Sequence, residues 1–369
     1  MHILIAPDSF KESLSAVDVA RNLHIGFSRS LPEASFDLMP VGDGGEGTLA
    51  ALSDGLTLEK QTVKVTGALG QAVSAPYAAN KSLAVFEMAD ICGLEKVPLE
   101  HRQPMELTTR GVGEMLLHLA QIGMTEIMVG VGGSATNDGG IGMAAGLGVQ
   151  FLDDKNRLLP AVGASLEQIR TLVAPRQSPL KDVNITIITD VDNPLCGRKG
   201  AAYIFGLQKG LKEQELASAD RAMHNFYQLV NPDLIDLSGS GAGGGMAAGL
   251  IAFAGGRICS GIDTVLDLLD FNHRVKKADL VIVGEGRLDR QSLAGKAPIG
   301  VARRTPPSIP VLAVCGSLAD DLPDFPFENI QAAFSIIPGV DSLENTLASA
   351  DKNLIRTAQN IGNLLKLTV

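Results

Sequence analysis

Short apolar runs of strand length recur along the chain, at residues 2–6, 36–41, 126–131, 185–188, 280–283, 311–314 and 332–337. Several end in turn residues and lead into segments of helical period: residues 16–30 after the first run, 140–147 after the third and 343–365 after the last. Strands that alternate with helices predict a parallel sheet covered on both faces. Such sheets bind ligands beyond the carboxyl ends of their strands, so a motif that directly follows a strand ranks above one placed elsewhere.

Residues 56–88 break this alternation. They read as three strands, at 57–65, 72–79 and 83–88, joined by Gly and Asn turns with no room for helices. An antiparallel excursion is expected there, followed by an irregular region from about residue 149 to 270. The expected fold class is therefore α/β with two α/β domains. One is discontinuous and takes residues 1–55, 95–147 and 272–369; the other is inserted, mixed α/β with antiparallel strands, and takes residues 56–94 and 148–271.

Composition narrows the class. A chain of 369 residues is long enough for two domains with full cores. The 41 glycines and the absence of Trp suit a protein rich in tight strand–helix turns. A formal net charge of −10 leaves no broad basic surface for nucleic acid or an anionic membrane, although a few local cations would suffice for a small anionic substrate. Cys92, Cys196, Cys259 and Cys315 lie far apart with no metal-like or paired spacing, which fits reduced thiols. The opening apolar run is cut by Pro7-Asp8, too early for a signal peptide. The most apolar long stretch, residues 241–256, is too short and small-sided to span a bilayer. A cytoplasmic protein is expected, with a small-molecule substrate, no nucleic-acid or membrane partner, and a homo-oligomer admissible.

Five loops mix glycine with acidic, hydroxyl or basic residues, and most follow an expected strand. They are Ala6-Pro7-Asp8-Ser9-Phe10-Lys11; Gly42-Asp43-Gly44-Gly45-Glu46-Gly47-Thr48; residues 132–140, with Ser134, Thr136, Asn137 and Asp138; Thr189-Asp190-Val191-Asp192-Asn193; and Gly284-Glu285-Gly286-Arg287-Leu288-Asp289, followed by Gly295-Lys296. Any one of Asp8, Asp43, Asp138 and Asp289 could be a plain helix N-cap. Five such loops together point to a ligand. Transfer of a nucleotide phosphate calls for carboxylates to hold Mg²⁺ and orient or deprotonate the acceptor hydroxyl, and for cations and backbone N–H groups to neutralise the moving group. Lys11, Arg287 and Lys296 are the candidate cations, each with the alternative of being merely solvated.

Common nucleotide motifs are missing. The only Gly-Lys pair, Gly295-Lys296, is followed by Ala297, so there is no P-loop, and the protein-kinase set is absent too. A G-x-G-x-x-G occurs at Gly239, Gly241 and Gly244, with Asp263 downstream, but in so glycine-rich a run the match is nearly forced; phosphate cradling by Gly243 and Gly244 without a dinucleotide is the better reading. No histidine pair has metal-ligand spacing, His118 reads as packed in an apolar helix, and no G-x-S-x-G elbow supports hydrolase chemistry.

Taken in order, the motifs APDSFKESLSA, GDGGEGT, VGGSATNDGGIGMA, DVDNPLCG, FGLQKG, GEGRLDRQSLAGKAPIGVA and FSIIPG span the whole chain and resemble the bacterial glycerate kinase family of the first type, which has no P-loop. The resemblance implies transfer of the ATP γ-phosphate to D-glycerate, giving 2-phosphoglycerate, with Mg²⁺, by two α/β domains, one of them flavodoxin-like, with the active site in the cleft. The chain departs from the family in Ala247 after Met246 and in Ser238 before the glycine run.

On that basis Asp190 or Asp192 would activate the acceptor hydroxyl or ligate Mg²⁺, with Asp43 a further metal carboxylate. Lys11 and Lys296 would neutralise transferring charge or bind the glycerate carboxylate. Asp8, Ser9, Gly44, Gly45, Glu46, Ser134, Thr136, Asn137, Gly243, Gly244 and Arg287 would line the substrate and phosphate pocket. The acids of the GDGGEGT loop make sense facing hydroxyls or Mg²⁺, because a bare carboxylate repels phosphate. Two other readings stay open: an NAD-dependent hydroxyacid dehydrogenase resting on the Gly239 motif, and a non-catalytic hydroxyacid-binding module.

Overall fold

A computed structural model of the chain describes residues 1–42, 44–45, 47–290 and 292–368, the side chains of Ala294 and Thr368 apart. The chain opens with β1 (His2–Ile5), α1 (Ala16–Ser30), β2 (Ser35–Leu38) and α2 (Thr48–Gly55). Next come β3 (Glu59–Thr66), β4 (Ala72–Ala79), β5 (Leu83–Glu87), α3 (Ala89–Cys92), α4 (Arg110–Gln121), β6 (Glu126–Gly130) and α5 (Ile141–Gly146). The middle continues with β7 (Gln150–Leu152), β8 (Thr171–Val173), β9 (Asn184–Ile188), α6 (Ala201–Lys209), α7 (Glu213–Val230), α8 (Ala242–Ala254) and β10 (Arg257–Cys259). The remainder is α9 (Gly261–Leu268), α10 (Phe271–Arg274), β11 (Leu280–Val283), β12 (Arg287–Leu288), α11 (Ala297–Arg304), β13 (Val311–Cys315), β14 (Ser317–Leu318), β15 (Ile330–Ser335), α12 (Leu343–Ala348) and α13 (Ala350–Leu365).

The chain divides into two compact units. The first takes Met1–Asp43, Ala50–Thr57 and Ser260–Val369; the second takes Gly44–Leu49 and Leu58–Cys259. In the first, five parallel strands lie in the order β2-β1-β11-β13-β15. Counted within the sheet that order is 2-1-3-4-5, the flavodoxin-like arrangement, whose direction reverses between β1 and β11. Those two central strands are buried on both faces, which is why they read as continuous apolar runs rather than alternating ones. Ile3, Ile5, Val19, Leu23, Phe27, Ile282 and Leu354 fill the core against them. Ser15 caps α1 by accepting from the Asp18 N–H, which fixes where the helix after β1 begins.

In the second unit six strands lie in the order β3-β4-β5-β6-β9-β10. The β3/β4 and β4/β5 pairs are antiparallel, as expected of the three-strand excursion, while β5, β6, β9 and β10 run parallel. Phe86, Ile127, Val129, Ile187, Met246 and Leu250 form its core.

Several expectations differ from what is found. Gly44–Leu49, expected in the first domain, falls in the second unit. Residues 95–147, expected with the termini, belong to the second unit, because β6 is hydrogen-bonded between β5 and β9 along its whole length. Residues 260–271, expected in the inserted domain, fall in the first unit. The stretch expected to be irregular holds α6, α7, α8 and α9; the small-residue composition of α8 hides its period, since Ala and Gly fill both its faces.

Candidate active site

In the first unit the ends of β1, β11 and β13 come together at the point where the sheet order reverses, the position at which such sheets bind ligands. The Ala6 N–H donates to the Ile282 carbonyl and the Asp8 N–H to the Gly284 carbonyl, both at 2.8 Å, so the loop after β1 is held to the loop after β11. Gly286 lets these loops touch: a Cβ there would sit 3.2 Å from the Lys11 nitrogen. This edge gathers Asp8, Ser9, Lys11 and Arg287. The Asp8 carboxylate accepts from the Ser9 N–H at 2.6 Å, and Lys11 and Arg287 are exposed. Asp289 and Ser292 exchange bonds, each N–H donating to the other's side chain, a turn that leads to Lys296 at the N-cap position of α11.

In the second unit the carboxyl ends of β5, β6 and β9 carry the other candidates. Gly44 has φ +89° and packs on the end of β9, where a Cβ would lie 2.8 Å from the Ile188 carbonyl oxygen. Any other residue would be strained and would clash, so this glycine follows from close approach of two backbones. The Gly44 N–H donates to Thr48 Oγ1 at 2.9 Å, and the Leu49 N–H donates to Glu87 Oε1 at 2.7 Å. Glu87 closes β5 and is buried, so its carboxylate meets the first turn of α2, where the helix dipole favours negative charge. Asp43 and Glu46 lie outside the described residues, and the roles expected of them rest on sequence.

Asp190 follows β9 and is half-buried; Asp192 is exposed, and its carbonyl accepts from Ser238 Oγ at 3.1 Å. The Gly241 N–H donates to the Asn193 carbonyl at 3.1 Å, so the glycine run packs on the loop that carries both acids. Gly243, Gly244 and Gly245 all have left-handed φ, +66°, +70° and +87°. They lie along residues 131–139: the Gly139 N–H donates to the Gly244 carbonyl at 3.1 Å, and a Cβ on Gly244 would overlap the Thr136 carbonyl oxygen. The turn before the run, Pro232–Leu234, is a 3₁₀ helix. The dinucleotide motif requires a strand there, so Gly239, Gly241 and Gly244 lack the setting that would make them a fingerprint.

Behind this loop sit two buried ionisable groups. Asp138 accepts from Thr109 N and Oγ1 and from the N–H groups of Gly140 and Gly142, at 2.8 to 3.2 Å, which anchors the start of α5. It is not the helix N-cap, a position held by Gly140, but it binds the backbone just ahead of and inside the first turn. Burial raises its pKa against the pull of those four bonds. Lys209, in the last turn of α6, is only 4% exposed and donates to Ser134 Oγ at 2.7 Å and to the Thr136 carbonyl at 2.9 Å. Both partners are uncharged. Burial pushes its pKa down to about 8, while Cys92 and Asp138 act in the opposite sense.

That shift has a measurable consequence. An unfolded Lys209 keeps its proton up to the ordinary lysine value of 10.5, so between pH 8 and 10.5 the unfolded chain binds more protons than the folded one. Stability contributed by this group therefore rises with pH across that window. Relative to Lys209→Met, which has no such group, the wild type is expected to gain about 2 to 3 kcal/mol in urea unfolding free energy between pH 7 and pH 10. A difference that stays flat with pH would mean the ammonium titrates normally.

The residues present fit a nucleotide-borne Mg²⁺. Among the described residues no three His, Cys, Asp or Glu side chains converge on a point, so no all-protein metal cage exists there. Mg²⁺ at phosphoryl-transfer sites is held by one or two carboxylates plus phosphate oxygens and water, and Asp190 at a strand end supplies a donor of that kind.

The structure thus groups the sequence candidates into two constellations, Asp8, Ser9, Lys11, Arg287 and Lys296 in the first unit, and Gly44, Gly45, Ser134, Thr136, Asn137, Asp190, Asp192, Gly243 and Gly244 in the second. Sequence reasoning missed Lys209 and Glu87. Lys209 sits in FGLQKG, where a lysine ending a helix reads as solvated; Glu87 ends a strand, where an acid reads as an edge charge.

The glycerate kinase family model matches residues 3–366. A protein of Neisseria meningitidis serogroup B (strain ATCC BAA-335 / MC58) named glycerate kinase is 53% identical over 368 residues, covering 100% of this chain and 99% of its own. The glycerate 2-kinase of Escherichia coli (strain K12) is 40% identical, covering 100% of this chain and 98% of its own. A crystal structure from Salmonella typhimurium LT2, provisionally named glycerate kinase 2, superposes with a TM-score of 0.87 at 38% identity, over 100% of this chain and 99% of that one.

Proposed function

The chain belongs to the glycerate kinase family, and from that premise we propose that it transfers the γ-phosphate of ATP to the 2-hydroxyl of D-glycerate, giving 2-phosphoglycerate and ADP. The observation that carries the reading is half-buried Asp190, two residues past the end of β9, a strand end whose Ile188 backbone meets Gly44 and accepts from the Val131 N–H. A general base needs a fixed carboxylate, and a phosphoryl group needs backbone that can approach it closely.

In the proposed reaction the acceptor oxygen bonds to the γ-phosphorus as the bond from that phosphorus to the ADP oxygen breaks. The hydroxyl proton passes to a carboxylate, assigned to Asp190 with Asp192 as the neighbouring acid. Ser134, Thr136, Asn137, Gly243 and Gly244, with Gly44 and Gly45, are assigned to binding anionic oxygens. Asp8, Ser9, Lys11, Arg287 and Lys296 are assigned to substrate binding and charge neutralisation, to which exposed Lys11 and Arg287 and half-buried Lys296 are suited. Asp190 would hold Mg²⁺, with Asp43 as the further ligand the sequence suggests; when bound, the ion offsets the charge of the phosphate oxygens. We place the enzyme in the cytoplasm, where its nucleotide substrate is available.

The test is ADP release coupled to NADH oxidation with D-glycerate, ATP and Mg²⁺, followed by phosphorus NMR of the product. Glycerate-dependent ADP release with a 2-phosphoglycerate resonance is the expected result. A 3-phosphoglycerate resonance would overturn the regiochemistry, and ADP release indifferent to glycerate would overturn the acceptor.

A further inference from the structure

Ser134 sits where the loop after β6 turns inward. Gly133 just before it is exposed, whereas Ser134 itself is 5% exposed. Its backbone is fixed on both sides, by the Leu94 N–H donating to the Gly133 carbonyl and the Ala135 N–H donating to the Cys92 carbonyl, both at 2.9 Å. The Lys209 ammonium has donors only, so in the 2.7 Å bond between them Ser134 Oγ is the acceptor. The hydroxyl proton must then point elsewhere. Among the described residues nothing accepts it, and the neighbouring Thr136 Oγ1 and Asn137 Oδ1 are likewise fully buried without a hydrogen-bond partner. Three adjacent polar groups left incomplete in a buried setting are uncommon, because each forgoes its bonds to water.

We propose that Lys209 and Ser134 form a donor pair in which the lysine is a positioning residue that fixes the serine hydroxyl to donate to an anionic oxygen of a bound substrate, a phosphate oxygen of the nucleotide or the carboxylate of the acceptor. The inference rests on the kinase reading and gives that site a second-line cation the sequence did not disclose. Among the described residues the buried ammonium bonds only a hydroxyl and a carbonyl, an arrangement costly for folding, and holding a hydroxyl in one polarity is what it achieves in return. The Thr136 carbonyl, its second partner, is pressed against Gly244, so the ammonium also fixes the loop to the glycine run. Cys92 on α3 and Asp138 before α5 are the titratable groups facing it, and both are held protonated more firmly than usual by burial.

The test is calorimetric binding of a non-hydrolysable ATP analogue and, separately, of D-glycerate to Ser134→Ala, Lys209→Met and the double variant, with folding checked by circular dichroism. Loss of one hydrogen bond to a charged oxygen is expected to weaken one of the two ligands by about 10- to 100-fold in Ser134→Ala. Weakening confined to the nucleotide analogue assigns the phosphate; weakening confined to D-glycerate assigns the carboxylate. Lys209→Met is expected to weaken the same ligand, and the double variant to be no worse than Ser134→Ala, because the lysine acts through the serine. In wild type that affinity should fall as pH rises through about 8, and in Ser134→Ala it should not. Unchanged affinity for both ligands in Ser134→Ala, which deletes a single oxygen, would overturn the proposal even if Lys209→Met does not fold, as would losses that simply add. Because binding is read without turnover, an absence of glycerate-dependent ADP release from wild type would reject the kinase reading separately.

Discussion

Asp190→Asn is expected to lower kcat by at least about 100-fold with ATP and D-glycerate both saturating, the scale on which a lost general base is felt. The expectation rests on where the side chain stands. β9 is a parallel inner strand between β6 and β10, its residues Ile185 to Ile188 are buried, Ile188 meets the backbone of Gly44, and Asp190 follows two residues past that end. The amide keeps the shape and removes both the proton acceptor and the metal-binding charge. Titration with Mg²⁺ separates the two roles. If Asp190 holds the ion, the variant needs more Mg²⁺ and recovers part of its rate; if it is the base, the rate stays low at every concentration. Turnover near the wild-type rate would remove Asp190 from the chemistry. The same change at Asp192, which is exposed, is expected to cost less.

The parallel strands were legible because burial on both faces writes an unbroken apolar run. β1, β9, β11 and β13 could be placed within one or two residues from that alone. The antiparallel β3–β5 were legible for another reason, since Gly and Asn turns left no length for a helix between them. Partnership was not legible. β6 reads the same whether it joins the terminal strands or lies between β5 and β9, because local pattern encodes burial and not the neighbour that provides it. The site divides along the same line. Glycine loops after strands announced themselves by composition, whereas Lys209 becomes unusual only when α6 brings it under the Ser134 loop, a tertiary event that leaves no trace in the hexapeptide around it.

Gly244→Ala is expected to destabilise the second unit by several kcal/mol, and Gly255→Ala by only about 1 to 2 kcal/mol, the cost of holding a non-glycine residue in the left-handed region. The two glycines share almost the same backbone, φ +70° and φ +69°, so the conformational penalty is common to both. They differ in surroundings. A Cβ at Gly255 meets nothing within 4 Å, whereas at Gly244 it would overlap the Thr136 carbonyl and approach Asn137 Cα at 3.1 Å, backbone that cannot move without shifting the loop. Overpacking of this kind adds about 1 to 3 kcal/mol or more. Because the Thr136 carbonyl also accepts from Lys209, displacing it should disturb ligand binding in the fraction that remains folded. Urea unfolding of the two variants measures the difference directly. Equal losses would mean that the loop at residues 131–139 gives way freely, and that the close fit of the glycine run to it is not what requires glycine at residue 244.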